Sequence, residues 1–113
     1  MRVHAEVRLP DLAAVPDVIG RHALRIVQDA LTNARKHATS APVDLRLDGA
    51  PGHGLTIDVR NPSPALATGE SKIPGTGAGL LGLTERATLS GGRLEHGLEH
   101  GDFRPRAWLP WPK

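Results

Sequence analysis

The apolar residues Ala23, Ile26, Val27, Ala30, Leu31 and Ala34 recur at the three- and four-residue spacing of one helical face, which demands a second layer to cover it. The stretch Arg25–Ala38, RIVQDALTNARKHA, is therefore predicted as an amphipathic helix whose apolar face makes core. Between the apolar rows lie Arg25, Asp29, Asn33 and the pair Lys36/His37, stacked along one edge because three or four residues separate each from the next. A carboxylate and a carboxamide one turn apart, followed by a cation, can hold an oxygen-coordinated Mg²⁺ ion and the phosphates it bridges. The same spacing is that of an ordinary solvated helix face, and spacing alone leaves both readings open.

The flanks supply the covering layer. Val3–Leu9 alternates apolar and polar residues and predicts a first strand with one face buried, ended by Pro10. Asp17 is the expected N-cap of the helix, which then runs from Val18 to Ala38 with Gly20 weakening its first turn. Thr39–Pro42 breaks it. Val43–Asp48 and Leu55–Arg60 alternate cleanly on either side of a turn over Gly49–Gly54, so they predict a hairpin with one face under the helix. A shorter helix carries Leu80, Leu81, Leu83, Ala87 and Leu89 and stops at Gly91-Gly92. Arg93–His96 and Phe103–Leu109 read as two last strands paired through a turn over Gly97–Asp102. Strands interleaved with two helices predict an α+β fold, a two-layer α/β sandwich.

Composition narrows the function. With 113 residues the chain fits one domain, residues 1–113, large enough to fold without a metal or disulfide staple, and it contains no cysteine. A sequence pI of 9.7 suggests nucleic acid, yet the formal net charge is only +2. Without Tyr or Cys nothing buffers between His and Lys, so a small basic excess drives the isoelectric point up. The basic residues are dispersed and three aromatics are too few for base stacking, which argues against a nucleic-acid partner. No apolar run approaches a membrane span, so no membrane contact by this domain is expected.

From Asn61 to Gly79 no periodicity survives; a loop of that length inside a domain reads as a functional lid. At its far end Gly75-Thr76-Gly77-Ala78-Gly79-Leu80 places alternating glycines before a helix, where bare backbone amides and the positive end of the helix dipole can cradle a phosphate. A flexible hinge would look the same. A dinucleotide fingerprint should follow a strand, and a Walker loop needs a Gly-Lys-Ser/Thr triplet; neither condition is met.

Taken together and in order, these signals resemble a family. RIVQDALTNARKHA is similar to the N-box of the ATP-binding domain of two-component sensor histidine kinases, and GTGAGLLGLTERATLSGG is similar to their second glycine box, in the variant of the nitrate/nitrite-sensor and DesK-like subfamily. Arg60-Asn61-Pro62 resembles a form of the first glycine box, and the likeness extends from Val3 to Pro110. The resemblance implies the Bergerat ATP-binding fold, a mixed, mostly antiparallel sheet packed on helices, with ATP held between the long helix and a lid over about residues 61–79. It implies Asn33 as the Mg²⁺ ligand, Asp29 as the residue that positions or deprotonates the incoming histidine, and Lys36 and His37 as phosphate-facing. Gly75, Thr76, Gly77, Ala78, Gly79 and Leu80 become the nucleotide-binding lid end, and Asn61 the contact to adenine.

Two departures stand out. Asp29 replaces the usual Glu and is one methylene shorter, which weakens a geometry-sensitive proton transfer. Where the family has Asp-x-Gly-x-Gly, this chain has Asn61-Pro-Ser-Pro-Ala65: one acceptor oxygen remains, the charge is lost, and two prolines stiffen the near end of the lid. Gly101-Asp-Phe103 also lacks the Thr often found before the Phe. None of the six histidines sits in a phosphoacceptor context, so the dimerisation domain is expected to be absent. The implied function is a cytoplasmic protein-histidine kinase domain, monomeric as a fragment and inactive in autophosphorylation without its phosphoacceptor domain. It would use ATP and Mg²⁺ to phosphorylate a histidine on a separate dimerisation domain, for relay to a response regulator. The alternative is a degenerate nucleotide-binding regulatory or protein-interaction module.

Overall fold

The computed structural model describes residues 3–9, 14–37, 42–62, 78–99 and 102–112. Its long helix, α1 (Asp17–His37), has the predicted apolar stripe: Ala23, Ile26, Ala30 and Ala34 are buried, Val27 and Leu31 half-buried, and Ile19 extends the row by one turn. The helix starts one residue earlier than expected. Gly20 donates its amide to the Pro16 carbonyl at 2.9 Å, so Asp17 lies inside the first turn, where its charge meets the positive end of the dipole. Ala38 lies outside the described residues.

Strand β1 (Val3–Arg8) pairs in parallel with β2 (Val43–Ala50), which runs antiparallel to β3 (Gly54–Pro62) through the predicted hairpin. The parallel pair follows from the chain crossing from β1 to β2 through α1. All six residues of β1 are exposed, Val3 and Val7 included, so the expected buried face is not found there. The reason is position: β1 is the sheet edge, whereas the helices pack over β3 and the strands beyond it.

On the other side of β3 the chain departs from the two continuous strands expected. Strand β4 (Arg93–Glu95) pairs with β7 (Arg106–Leu109), and β5 (Leu98–Glu99) with β6 (Asp102–Phe103). β6 and β7 both lie antiparallel to β3, opposite Asn61–Pro62 and Leu55–Asp58 respectively, so together they act as one interrupted strand. Pro105 explains the interruption: it has no amide to donate, but its carbonyl accepts from Val59 at 3.1 Å and keeps the ladder joined. Residues 98–99 and 102–103, expected in the turn or at its margin, are therefore paired, while His100 and Gly101 lie outside the described residues. The sheet is mixed and mostly antiparallel.

The second helix, α2 (Ala78–Leu89), buries Leu83 and Ala87 completely against α1 and the sheet, while Leu89 is exposed. Its end has a specific geometry. Gly91 adopts φ +85°, its amide reaches the Thr88 carbonyl at 3.0 Å, and the Gly92 amide reaches that of Ala87 at 2.9 Å, the reciprocal pattern of a Schellman cap. A side chain at Gly92 would strike the Trp108 carbonyl, so the cap also lets α2 close onto β7. Between the layers the helical residues meet Val43, Leu55, Ile57, Val59, Ala107, Leu109 and Trp111 in one core. The alanines of α1 leave little side chain between its backbone and the neighbouring elements.

Candidate functional site

Strand alternation sorts β3 into two rows. Leu55, Ile57, Val59 and Asn61 share the face that the helices cover, and all four are buried, Asn61 to 3% exposure. Asn61 is the polar member of an apolar row. It was expected at the start of the lid but lies within β3, opposite Phe103 of β6, near the strand's end. Among the described residues its carboxamide nitrogen has no hydrogen-bond partner. A buried donor left unpaired costs about 1–3 kcal/mol, so any group that brings an acceptor to it is stabilised there.

Asp29 lies on α1, its side chain one-third exposed, with Arg25 one turn earlier at 3.5 Å. Asn33 follows Asp29 by four residues, on the same edge of α1, and Lys36 and His37 occupy the last turn. Their backbone is helical as predicted; their side chains are outside what the structure describes. Ala78, Gly79 and Leu80 form the first turn of α2, so the helix predicted after the glycines takes in the last of them. Gly75, Thr76 and Gly77 lie outside the described residues, as does the rest of the lid from 63 to 77. The fold thus puts Asp29, Asn33 and Asn61 on elements of one helix-covered side.

The opposite face of the sheet is mostly charged, with Thr56 and Trp108 set among the charges. His4, Asp44 and Arg60 form one cross-strand row, and Glu6, Arg46, Asp58, Arg106 and Glu95 another, alternating acid and base across five strands. Arg104 binds Asp58 through two nitrogens, Nε at 2.9 Å from Oδ1 and Nη2 at 2.5 Å from Oδ2. Burial alone would raise the Asp58 carboxyl above the ordinary value; the Arg104 hydrogen bonds and the charges of Arg104, Arg106 and Arg60 overcome it and hold it below. Glu6 is also held low, first by its hydrogen bond from Arg8. These groups line a cavity of about 380 Å³ on this face, bounded by His4, Glu6, Asp44, Asp58, Arg60 and Arg104. Sequence reasoning placed no site there. The signal was available in the outward positions of β2 and β3, but the partner that closes over Asp58 comes from the break at Arg104-Pro105, which no periodicity announces.

Among the described residues no helix is long and apolar enough to cross a membrane. No family model matches the chain. Its sequence is similar to the nitrate/nitrite sensor protein NarQ of Escherichia coli (strain K12), 34% identical over 89 residues that cover 79% of this chain and 15% of that protein. The chain therefore spans about one-seventh of the length of the curated relative it matches. In fold it is similar to the blue-light activated histidine kinase EL346 of Erythrobacter litoralis, with TM-score 0.72 and 20% identity over 97% of this chain and 36% of that one. The Acinetobacter baumannii histidine kinase AdeS gives TM-score 0.66 at 10% identity, covering 99% of this chain and 56% of that one. The cytoplasmic segment of histidine kinase QseC gives TM-score 0.58 at 18% identity, covering 96% and 61%.

Proposed function

Taking as premise a chain of the sensor histidine kinase ATP-binding domain type, akin to it in sequence and in fold, we propose that it binds Mg·ATP and passes the γ-phosphate to a histidine on a separate dimerisation domain, for relay to a response regulator. The kinship with the nitrate/nitrite sensor supports a place in that sensor's or the DesK-like subfamily. The observation that carries the reading is Asn61, a buried side chain on the helix-covered face whose carboxamide nitrogen has no partner among the described residues, at the position the family resemblance assigns to the nucleobase.

In this reading the base lies against Asn61, and the phosphates run along the polar edge of α1 past Asn33 toward Lys36 and His37. The segment between β3 and α2 serves as the lid. The backbone at Gly75, Thr76, Gly77, Ala78, Gly79 and Leu80 supplies amides to the phosphates, the first turn of α2 adding its dipole. Among the described residues no three His, Asp or Glu side chains gather into a metal cage. Mg²⁺ takes one or two protein oxygens and completes its shell with water and substrate phosphate; Asn33 is the protein ligand that the resemblance implies. When bound, the ion neutralises charge on the phosphate oxygens. Asp29 orients the acceptor histidine and takes its ring proton as the histidine nitrogen bonds to the γ-phosphorus and ADP leaves with the bridging oxygen. The domain works in the cytoplasm, contacts neither membrane nor nucleic acid, and is monomeric apart from its parent.

Calorimetric titration of ATP, with and without Mg²⁺, tests this on the wild type and on Asn33→Ala. Mg²⁺-sensitive binding lost in the variant supports the reading, and phosphoryl transfer to a supplied dimerisation domain then completes it. A folded wild type that binds no ATP overturns it and leaves a degenerate regulatory module.

A further inference from the structure

We propose that Asn61 makes the base site tolerant of 6-oxopurines, so that inosine or guanosine triphosphate binds about as well as ATP. The inference rests on the nucleotide-binding reading above and deepens it. A carboxylate at this position accepts only: it accepts a hydrogen bond from the 6-amino group of adenine and repels the carbonyl oxygen of a 6-oxopurine. A carboxamide offers an acceptor and a donor side by side. Adenine satisfies both, its 6-amino group donating to Oδ1 while N1 accepts from Nδ2. Turned over about its last torsion, the same carboxamide satisfies hypoxanthine or guanine, whose N1–H donates to Oδ1 while O6 accepts from Nδ2.

Two observations favour this over a role for Asn61 as a weakened carboxylate. Its nitrogen is buried and has no acceptor among the described residues, so none of them fixes that end of the carboxamide in the orientation that adenine needs. Its neighbours along the covered row of β3 are Val59, Ile57 and Leu55, and across the ladder Phe103, which offer no side-chain polar group to read the base in its place. Discrimination by a buried hydrogen-bonding site is large only where the wrong ligand leaves a group unpaired, and here neither purine does.

The experiment is titration of the wild-type domain with MgATP and MgITP in parallel, inosine being chosen because it lacks the 2-amino group of guanine. The expected dissociation constants agree within roughly threefold, and Asn61→Asp shifts the ratio at least about tenfold toward ATP by restoring an acceptor-only site. A wild type that prefers ATP by about tenfold or more overturns the inference while leaving the nucleotide-binding reading intact. A folded wild type that binds neither nucleotide overturns the reading itself, and the inference with it. The wild-type ratio decides the matter even where the variant does not fold.

Discussion

The two faces of β3 obey opposite rules. On the covered face Leu55, Ile57 and Val59 are 2%, 1% and 1% exposed and surrounded by the alanines of α1 and by Leu109. On the open face Asp58 reaches 8% exposure, yet its cover is arginine rather than hydrocarbon. Burial on the first side is favourable by itself; on the second it is tolerable only because Arg104 supplies two hydrogen bonds and a charge. A polar residue is therefore unremarkable among the charges of the open face and costly among the aliphatics of the covered one. Asn61 draws its meaning from that contrast: the row it ends is apolar, and none of the described residues satisfies its nitrogen.

The contrast breaks first at the covered row. Ile57→Ala removes a side chain at 1% exposure from the middle of the core and is expected to cost about 3 kcal/mol, read as a fall in the urea unfolding midpoint. A loss below about 1 kcal/mol would mean that the helices do not close over β3 as described. On the open face Asp58→Asn keeps the volume and removes the charge. With Arg104 one-quarter exposed and able to recover water, the expected cost is about 2 kcal/mol, less than for a fully buried pair. The sign with pH follows from the lowered carboxyl. The stabilisation is fully present above the unfolded value of 3.8 and is lost as pH falls from there through the depressed folded value. Acid titration of the unfolding midpoint should therefore show a shallower loss for Asp58→Asn than for the wild type, and equal slopes would remove Asp58 from the account.

Asn61→Leu sharpens the comparison, because it makes the covered row uniformly apolar. Relief of an unpaired donor offsets the imperfect fit of a branched side chain, so the expected change in stability is within about 1 kcal/mol of zero. Nucleotide binding, by contrast, should be lost. A destabilisation of about 3 kcal/mol would show that the carboxamide is part of the protein's own hydrogen bonding rather than reserved for a ligand.

How much of this could be read from the sequence follows the same division. The stripe on α1, the β2–β3 hairpin and the glycine stop after α2 are local patterns, with periods of 3.6 and 2 or a left-handed glycine, and each recurs in the structure. Edge and centre are not local. Val3, Ala5 and Val7 alternate as cleanly as Leu55, Ile57 and Val59, yet only the latter lie beneath helices, because coverage depends on where α1 and α2 land. The Arg104–Asp58 pair joins residues forty-six positions apart through a proline break and was equally illegible. In the candidate site the motif order picked out Asp29, Asn33 and Asn61, but the depth of Asn61 and its unpaired nitrogen required the sheet.

The smallest expected change in stability belongs to the polar edge of α1, where the two faces of the comparison meet solvent. Asp29 pairs with Arg25 at 3.5 Å, with the cation N-terminal to the anion and both side chains at least one-third exposed. That orientation is the weaker one on a helix, and exposed pairs of this kind contribute about 0.3–0.5 kcal/mol at best. Asp29→Asn should therefore leave the unfolding midpoint within about 0.5 kcal/mol of the wild type. A residue so dispensable to folding is free to serve chemistry. In a parent kinase containing the phosphoacceptor domain, the proposed role of Asp29 as proton acceptor predicts that the same substitution lowers the transfer rate about 10²-fold or more while ATP binding is retained. Unchanged transfer with unchanged stability would return Asp29 to the ordinary solvated face of a helix.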